Sequence, residues 1–228
     1  MYKKEILLED ALLLIEQNFY FLHMGEFFGA LSKTVELDAT AFPIVRKYDV
    51  GQEYRFNPMV IQELLNNARS MKNDDITLFD YFVEFNAFRG ICMAMVESLR
   101  LESDFCNFMK ERLGGRYEDF FDIVSFVRNV LSHNIHAEIR LSEKDFDGTL
   151  KRIRRLKRDE NVFFSFNYAL DLPEILAPNP QYGFTCNIDF SSLNEGMEFL
   201  SILSMWDLMM LCELCFNLVM SYKLYKNS

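Results

Sequence analysis

The chain has little glycine and proline, with 9 and 5 of these residues among 228. Because these two residues make most tight turns, their scarcity in a long chain favours long elements, and helices in particular. Apolar residues make up 50% of the chain and aromatic residues 15%, so it can build a core of ordinary size. The composition therefore argues against a disordered chain and predicts a mainly α protein.

The chain also lacks a net positive charge, since its formal net charge is −10. A protein of this charge is not a general nucleic-acid binder, because contact with phosphate needs a local positive potential. One stretch has that potential, since residues 151–158 carry six cations in eight positions. The stretch is either a solvated surface run or an RNA-binding patch made of Lys151, Arg152, Arg154, Arg155, Lys157 and Arg158.

Several enzyme signatures are absent from the sequence. The chain has no glycine-rich phosphate loop and no serine–histidine–aspartate pattern, which makes kinases, P-loop enzymes and serine hydrolases poor candidates. Among the five cysteines, Cys212 and Cys215 form a CxxC pair, but no second pair follows at a similar spacing. We therefore expect two core cysteines on one helix rather than a zinc site, and no cofactor.

Targeting and membrane signals are weak. Residues 1–6 are not followed by an uninterrupted apolar stretch and a small-residue cleavage site, so a reducing, cytoplasmic location is the expectation. The apolar stretch 199–220 has the length of a membrane span, but Asp207, Glu213 and Asn217 interrupt it. Charges at such depths are costly in lipid, so the sequence predicts no membrane contact and a helix buried in a bundle or in a dimer interface.

Apolar residues recur at three- and four-residue steps along much of the chain, and this periodicity predicts helices. A loop is expected at 38–58, where two prolines and a glycine lie among scattered charges. The run Asn73-Asp74-Asp75 supplies an N-cap for one long helix. The predicted helices lie near residues 4–34, 59–71, 76–100, 103–113 and 117–133.

The pattern changes after residue 136, where short stretches alternate between apolar and polar residues. These stretches are 137–141, 150–156, 162–168 and 184–190, with a turn signal at Asp147-Gly148 between the first two. Ser192 and Glu195 then fit a capping box for a last helix that runs to about Tyr222. The sequence thus predicts one domain over 1–228, made of an N-terminal helical extension at 1–72, a helical core at 73–136 and 191–224, and a β-hairpin insertion at 137–190.

The helix predicted at 117–133 carries a polar stripe on an otherwise apolar surface. At about 100° per residue, its apolar residues fall on one broad side and its polar residues on the other. Asn129 and His133 are four residues apart and face the same way, and the long side chain of Arg128 can swing across from the flank. The apolar side holds Phe120, Ile123, Val124, Val127, Val130 and Leu131, and the polar side holds Asp122, Ser125, Arg128, Asn129, Ser132, His133 and His136.

The polar stripe is either an ordinary solvent-facing surface or a site that can cut RNA without a metal. In such cleavage the 2′-hydroxyl attacks the adjacent phosphate, so one proton must leave the hydroxyl and another must reach the 5′-oxygen. His133 can carry out either transfer, because histidine titrates near neutral pH. Arg128 offers donors matched to the phosphate oxygens of the transition state, and Asn129 can hold the phosphate or orient the histidine.

The residues Arg128-Asn129-x-x-x-His133 resemble the Arg-x4-6-His motif of the HEPN superfamily, in which the residue after the arginine is commonly Asn, Asp or His. Members are helical bundles whose motif lies at the end of a long helix. The resemblance covers about residues 76–222 without the insertion, and it implies a HEPN-like helical bundle. It also implies a metal-independent endoribonuclease in which Arg128 stabilises the phosphate, His133 transfers protons and Asn129 assists.

The resemblance further implies a biological setting. Members act in toxin–antitoxin, abortive-infection and other antiviral defence systems, and they form homodimers in which two Arg/His sets meet in a shared cleft. The expected partners are therefore RNA, a second copy of the chain, and an antitoxin or other regulatory protein. The chain departs from one toxin branch, because Ile135 stands where those members carry a tyrosine that a partner enzyme modifies. Some members are non-catalytic, so the alternative is a HEPN-like helical interaction module or regulator.

Overall fold

The computed structural model of the protein describes residues 4–35, 38–41, 44–47, 51–70, 81–101, 103–134, 138–173 and 183–227. Their structure is mainly helical with two small antiparallel strand pairs, which confirms the predicted mainly α fold with a small β insertion. The chain divides into two compact units, one formed by residues 20–86 and the other by residues 1–19 together with 87–228. This division differs from the predicted extension at 1–72, because helix α1 (Lys4–Thr34) begins in the larger unit and continues into the smaller one.

The smaller unit contains a strand pair where a loop is predicted at 38–58. Strands β1 (Val45–Lys47) and β2 (Glu53–Arg55) pair antiparallel, after a 3-10 turn at Ala39–Ala41. All residues of the two strands are exposed. The prediction is wrong here because strands without a buried face need no alternation of apolar and polar residues, which is the pattern that reveals a strand in sequence.

Helix α2 (Pro58–Arg69) follows in the smaller unit and confirms the short helix predicted there. It begins at this point because the side chain of Asn57 caps its first turn, where a proline is well tolerated. At its end, Arg69 donates hydrogen bonds to the backbone carbonyls of Ser32 at 2.7 Å and Val35 at 2.9 Å. The last residue of α2 thereby satisfies carbonyl groups at the end of α1.

The larger unit is built around helices in the order that the sequence predicts. A π-helical turn at Tyr81–Phe85 precedes them, and the predicted cap at 73–75 lies outside the described residues. Gly114 follows the helix that ends at Leu113, and its φ is +55°. Glycine adopts this conformation without the strain that a side chain would bring. The helices are α3 (Asn86–Arg100), α4 (Asp104–Leu113) and α5 (Tyr117–His133).

Residues 150–156 are not a strand, contrary to the prediction. They belong to helix α6 (Glu143–Arg155) and the turn after it, and the predicted turn at Asp147-Gly148 lies inside this helix. The apolar residues Leu150, Ile153 and Leu156 recur at steps of three, which suits one side of a helix better than a strand. The described residues between 138 and 190 therefore contain a helix followed by a strand pair. Of the predicted strand at 137–141 they show one isolated bridge from Arg140 to Glu198.

The two remaining predicted strands are confirmed. Strands β3 (Asn161–Phe166) and β4 (Phe184–Asp189) pair antiparallel, and the short helix α7 (Tyr168–Asp171) lies between them in the chain. Alternate residues of both strands are buried, as their alternating sequence predicts. The strands cover α5, where the ring centroids of Phe120 and Phe164 lie 5.5 Å apart.

The last helix begins later than predicted. Ser192 and Glu195 lie in turns, and helix α8 spans Met205–Asn227. Its start is capped by Ser204, whose backbone N and Oγ donate to Oδ2 of Asp207 at 2.9 Å and 2.7 Å. The predicted capping chemistry is therefore present at a later serine and acid of the same spacing, because local sequence does not say which of two such patterns the tertiary packing selects.

Helix α8 is largely buried in the larger unit, as predicted for this apolar stretch. It is long and apolar enough to cross a membrane, but 67% of its most apolar window is buried inside the protein. Phe216 stacks on Phe19 of α1 with ring centroids 4.3 Å apart. Cys212 and Cys215 are core residues of this helix, and burial raises the pKa of both thiols well above its usual value. Thiols with a raised pKa are poor nucleophiles.

Candidate functional site

Helix α5 presents its polar residues in two different environments. Its apolar side is buried, as predicted. Asp122 and Ser125 belong to the predicted polar stripe but are buried as well, whereas Arg128 and Asn129 are half-buried and His133 is exposed at the end of the helix. The stripe is therefore not a uniform solvent-facing surface, because α6 packs over part of it.

His133 contacts a residue that the sequence did not suggest. Its Nδ1 lies 2.7 Å from Oδ1 of Asp145 on α6. The side chain of Asp145 is fully buried, while that of His133 is 33% exposed. One ring nitrogen is thus held by a buried carboxylate, and the other, Nε2, has no hydrogen-bond partner among the residues that the structure describes.

Asp145 is held in place by the start of α6. Its Oδ2 accepts hydrogen bonds from the backbone N and the Oγ of Ser142 at 2.7 Å and 2.8 Å, which is a capping-box arrangement. Asn134 Nδ2 lies 3.5 Å from the same oxygen. Asp145 is also in the first turn of its helix, where free backbone N–H groups favour a negative charge. One carboxylate oxygen therefore serves the cap and the other faces His133.

Asn129 links Arg128 to this pair. Its Nδ2 donates to the backbone oxygen of Asp145 at 3.4 Å, and its Oδ1 accepts a hydrogen bond from Nη1 of Arg128 at 3.0 Å. The structure therefore brings together the three residues predicted as catalytic, in a hydrogen-bonded series that runs from Arg128 through Asn129 and Asp145 to His133. We call these four residues the α5–α6 series.

The guanidinium of Arg128 keeps donors that an anion can use. Its Nη2 lies 4.0 Å from Oε1 of Glu97 on α3, a separation at which an ion pair contributes little. Its Nε is buried and has no hydrogen-bond partner within the described part of the chain. A buried donor without a partner costs about 1–3 kcal/mol. Because Nε is closed to solvent, an anion would bind the Nη atoms of this side chain, which is 28% exposed.

A second guanidinium lies at the C-terminal end of α5. Arg89 on α3 donates from Nε to the backbone carbonyl of Leu131 at 2.6 Å. A cation is favoured at this position, because the last carbonyls of a helix have no partner within the helix. The sequence carries no signal for this contact, since the two residues are 42 positions apart and are joined only by the packing of two helices.

Four of the six cations predicted to bind RNA form ion pairs with carboxylates within the described residues. The pairs are Lys151 with Asp147, Arg154 with Glu160, Arg152 with Glu118 and Asp122, and Arg158 with Asp119 and Asp122. Arg155 and Lys157 are exposed and show no such pair in the same part of the chain. The stretch is the end of α6 and the turn that follows, not a hairpin, and two of its cations remain open to phosphate.

Asp122 is the centre of this ion-pair network. It is fully buried and faces the guanidiniums of Arg152 and Arg158. Burial raises the pKa of its carboxyl, and the two arginines oppose that shift. Because Asp122 belongs to α5 and Arg152 to α6, the network fixes the two helices against each other, and it thereby holds Asp145 against His133.

Ser142 and Asp145 are residues of the candidate site that sequence reasoning missed. The signal was present, because Ser142-x-x-Asp145 is a capping pattern that places a helix start shortly after His133. Because 150–156 is predicted as a strand, no helix is predicted for this cap to begin. His136, the other histidine of the predicted stripe, lies outside the described residues.

The candidate site links His133, which is of a type that can transfer protons, to Arg128, which is of a type that can bind an anion. Within the described residues, no cluster of three or more histidine, cysteine or acidic side chains could hold a metal ion. Comparisons of the chain with protein-family models, curated proteins and solved structures found no match.

Proposed function

We propose that the protein is a metal-independent endoribonuclease of HEPN type that acts in a toxin, abortive-infection or other defence system in the cytoplasm. The observation that carries the proposal is the α5–α6 series, from Arg128 through Asn129 and Asp145 to His133. It joins an arginine with open donors to a histidine with an open ring nitrogen. These are the two kinds of group that metal-free cleavage of RNA needs.

In the proposed reaction, the 2′-hydroxyl oxygen attacks the adjacent phosphorus and the bond to the 5′-oxygen breaks. One His133 accepts the proton of the 2′-hydroxyl, and a second, protonated imidazole delivers a proton to the leaving 5′-oxygen. Arg128 stabilises the charge on the other phosphate oxygens. A homodimer with a shared cleft, which the HEPN resemblance implies, would supply both imidazoles. The products are a 2′,3′-cyclic phosphate and a 5′-hydroxyl.

RNA would bind this site with little help from the overall charge of −10. Arg155 and Lys157 are the cations of the basic stretch that remain open, and Arg128 adds a third at the site itself. For single strands, the logarithm of the binding constant falls against that of salt concentration with a slope of about −0.7 per phosphate contact. With so few contacts, we expect weak binding to a short, single-stranded segment of RNA.

A non-catalytic HEPN-like interaction module or regulator is the second candidate function. Exposed apolar side chains along α1 favour it, since exposed apolar surface is typical of contact with another protein. The partner in this case would be an antitoxin or another regulatory protein. The side chains concerned are Leu13 and Leu14 in the larger unit and Met24, Phe27 and Phe28 in the smaller one.

The test compares wild type, Arg128→Ala and His133→Ala on total RNA in EDTA, with analysis of the fragment ends. Wild-type cleavage that leaves 2′,3′-cyclic phosphates and is lost in both variants supports the nuclease. Ser132→Ala is the matched control, because Ser132 is exposed on the same turn of α5 and is expected to leave cleavage unchanged.

Two other results would overturn the nuclease. Equal cleavage by wild type and His133→Ala would mean that the activity does not belong to this site. An inactive wild type that forms a stable complex with a protein partner, and still does so as His133→Ala, would favour the interaction module.

A further inference from the structure

We infer that Asp145 is a positioning residue that fixes the proton of neutral His133 on Nδ1 and leaves Nε2 as the reacting nitrogen. The structural part of this inference stands on the contacts of Asp145. Its catalytic consequence rests on the proposed nuclease function. The two parts are tested by different measurements.

The position of the proton follows from the donors around Asp145. Ser142 donates two hydrogen bonds to Oδ2, from its backbone N and its Oγ. The remaining oxygen, Oδ1, lies 2.7 Å from Nδ1 of His133. An ionised carboxylate only accepts hydrogen bonds, so Nδ1 must carry the proton that joins the two groups. A neutral imidazole with its proton on Nδ1 has a lone pair on Nε2.

The exposure of the ring agrees with this assignment. Asp145 is fully buried and holds the Nδ1 edge, whereas the His133 side chain is 33% exposed. Nε2 has no hydrogen-bond partner in the described ranges, so its lone pair is not taken up by another described group. A buried carboxylate that orients a histidine in this way makes the histidine a better general base, and the carboxylate itself exchanges no proton.

The geometry is fixed before substrate arrives. Asp145 belongs to the first turn of α6, and the ion pairs of Asp122 with Arg152 and Arg158 hold α6 against α5. Asn129 also contacts the backbone oxygen of Asp145. Because both helices are held at several points, the imidazole does not have to be reoriented during the reaction.

The capping serine makes Asp145→Asn an unusually informative variant. Backbone N and Oγ of Ser142 both donate, so they select the amide oxygen of the new asparagine as their acceptor. The amide NH₂ must then face Nδ1 of His133 and donate to it. This forces the proton of neutral His133 onto Nε2, while the cap of α6 is kept.

The experiment is long-range ¹H–¹⁵N correlation spectroscopy on full-length protein labelled at histidine, above the pH at which histidine is protonated. The chain has 3 histidines, and the signals that disappear in His133→Gln identify those of His133. We expect wild type to show the proton on Nδ1 and Asp145→Asn to show it on Nε2. Ser142→Ala is the control, because it weakens the cap but leaves the carboxylate on His133.

Cleavage assays on the same variants test the catalytic consequence. For Asp145→Asn we expect kcat to fall at least about 100-fold with KM little changed, because the base is lost and the binding groups are not. A wild-type proton on Nε2, or a proton that stays on Nδ1 in Asp145→Asn, would overturn the inference.

The failure of the proposed function has a different signature. If the proton moves from Nδ1 to Nε2 as expected but wild type cuts no RNA, Asp145 is a positioning residue and the nuclease proposal fails. If the proton moves and cleavage is unaffected, Nε2 is not the reacting nitrogen and the catalytic consequence is wrong.

Discussion

Two buried aspartates lie at the interface of α5 and α6, and they differ in what they face. Asp122 faces the guanidiniums of Arg152 and Arg158 and is enclosed by them. Asp145 faces Ser142 on one oxygen and His133 on the other. Both side chains are fully buried, so burial alone does not separate a structural carboxylate from one with a chemical task.

The partners of the two aspartates make the difference. An arginine stays protonated at any physiological pH, so the network of Asp122 can only hold the helices together. A histidine can gain and lose a proton, and the ring that Asp145 holds is partly exposed. The same residue type at the same interface thus serves the fold at one end of α5 and a candidate site at the other.

The largest effect should come from His133→Ala, which removes the imidazole that Asp145 holds. If the site cuts RNA, we expect cleavage to fall by about 1000-fold, because proton transfer is lost. The variant should still fold, with a loss of about 1–3 kcal/mol for the buried Asp145 oxygen that loses its partner, since the His133 side chain is itself partly exposed and its removal leaves no cavity in the core. A variant that lost activity together with its fold would place His133 with the structural residues instead.

Asp122→Ala should have the next largest effect, on stability. It removes the carboxylate that two guanidiniums share, while Arg152 keeps Glu118 and Arg158 keeps Asp119. The loss should therefore be about 2 kcal/mol, below the ~3–5 kcal/mol for a buried charge left without any partner. Urea unfolding measures this loss of free energy. Glu160→Ala is the control, because its pair with Arg154 is exposed and should change the midpoint little. An unchanged midpoint for Asp122→Ala would show that the network does not hold the helices.

Glu213→Gln extends the comparison to a buried acid without a cation. Burial raises the pKa of Glu213, and its Oε1 has no hydrogen-bond partner in the described residues. A carboxyl whose pKa is higher in the folded state stabilises the fold least when ionised, so wild-type stability should decline as pH rises from the unfolded value of about 4.3. The variant should therefore be more stable than wild type by about 1 kcal/mol at pH 7 and show no advantage at pH 4.

Denaturant unfolding of both proteins over this pH range measures the difference. An advantage that is the same at pH 4 and at pH 7 would mean that the ionisation of Glu213 does not affect the fold.

The smallest effect should separate open cations from paired ones. We expect the double variant Arg155→Ala/Lys157→Ala to reduce the salt dependence of RNA binding by a slope of about 0.7 for each phosphate that the variant no longer neutralises. Lys151→Ala/Arg154→Ala removes the same charge from cations that already pair with carboxylates. Binding titrations at several salt concentrations should show a smaller change for this pair, and equal slopes would mean that the ion pairs open when RNA binds.

Helix α5 could be predicted from the sequence down to its last residue. Its apolar period is regular, and His133 ends it as expected. The meeting of Arg128, Asn129 and His133 could be predicted only in part. Their shared helix face follows from spacing, but the contact that links them passes through Asp145 on another helix. Side chains that meet through the packing of two helices leave no periodic pattern in either one.

The fate of the basic stretch could not be predicted for a related reason. Its cations read as one positive patch, while Glu118, Asp119 and Asp122 lie about 30 residues or more before the arginines that they face. The short strands β1 and β2 could not be predicted for another reason, since they are exposed on both faces and bury no apolar side chain. Sequence periodicity reveals elements that bury one face. It does not reveal a segment that buries no side chain, or an ion pair between residues far apart in the chain.

Asp145 both completes the Ser142 cap and faces His133, and this pairing offers a way to sort related chains. An arginine and histidine at this spacing occur easily by chance, but a following Ser-x-x-Asp adds an independent constraint on the same chain. A related chain that keeps Arg128-Asn129 and His133 but loses the acid of that cap would retain the arrangement of the site. It would lack the carboxylate that fixes the proton of the histidine on one ring nitrogen. If the proposed nuclease function holds, a lineage that shows this loss would have changed from cutting RNA to binding it.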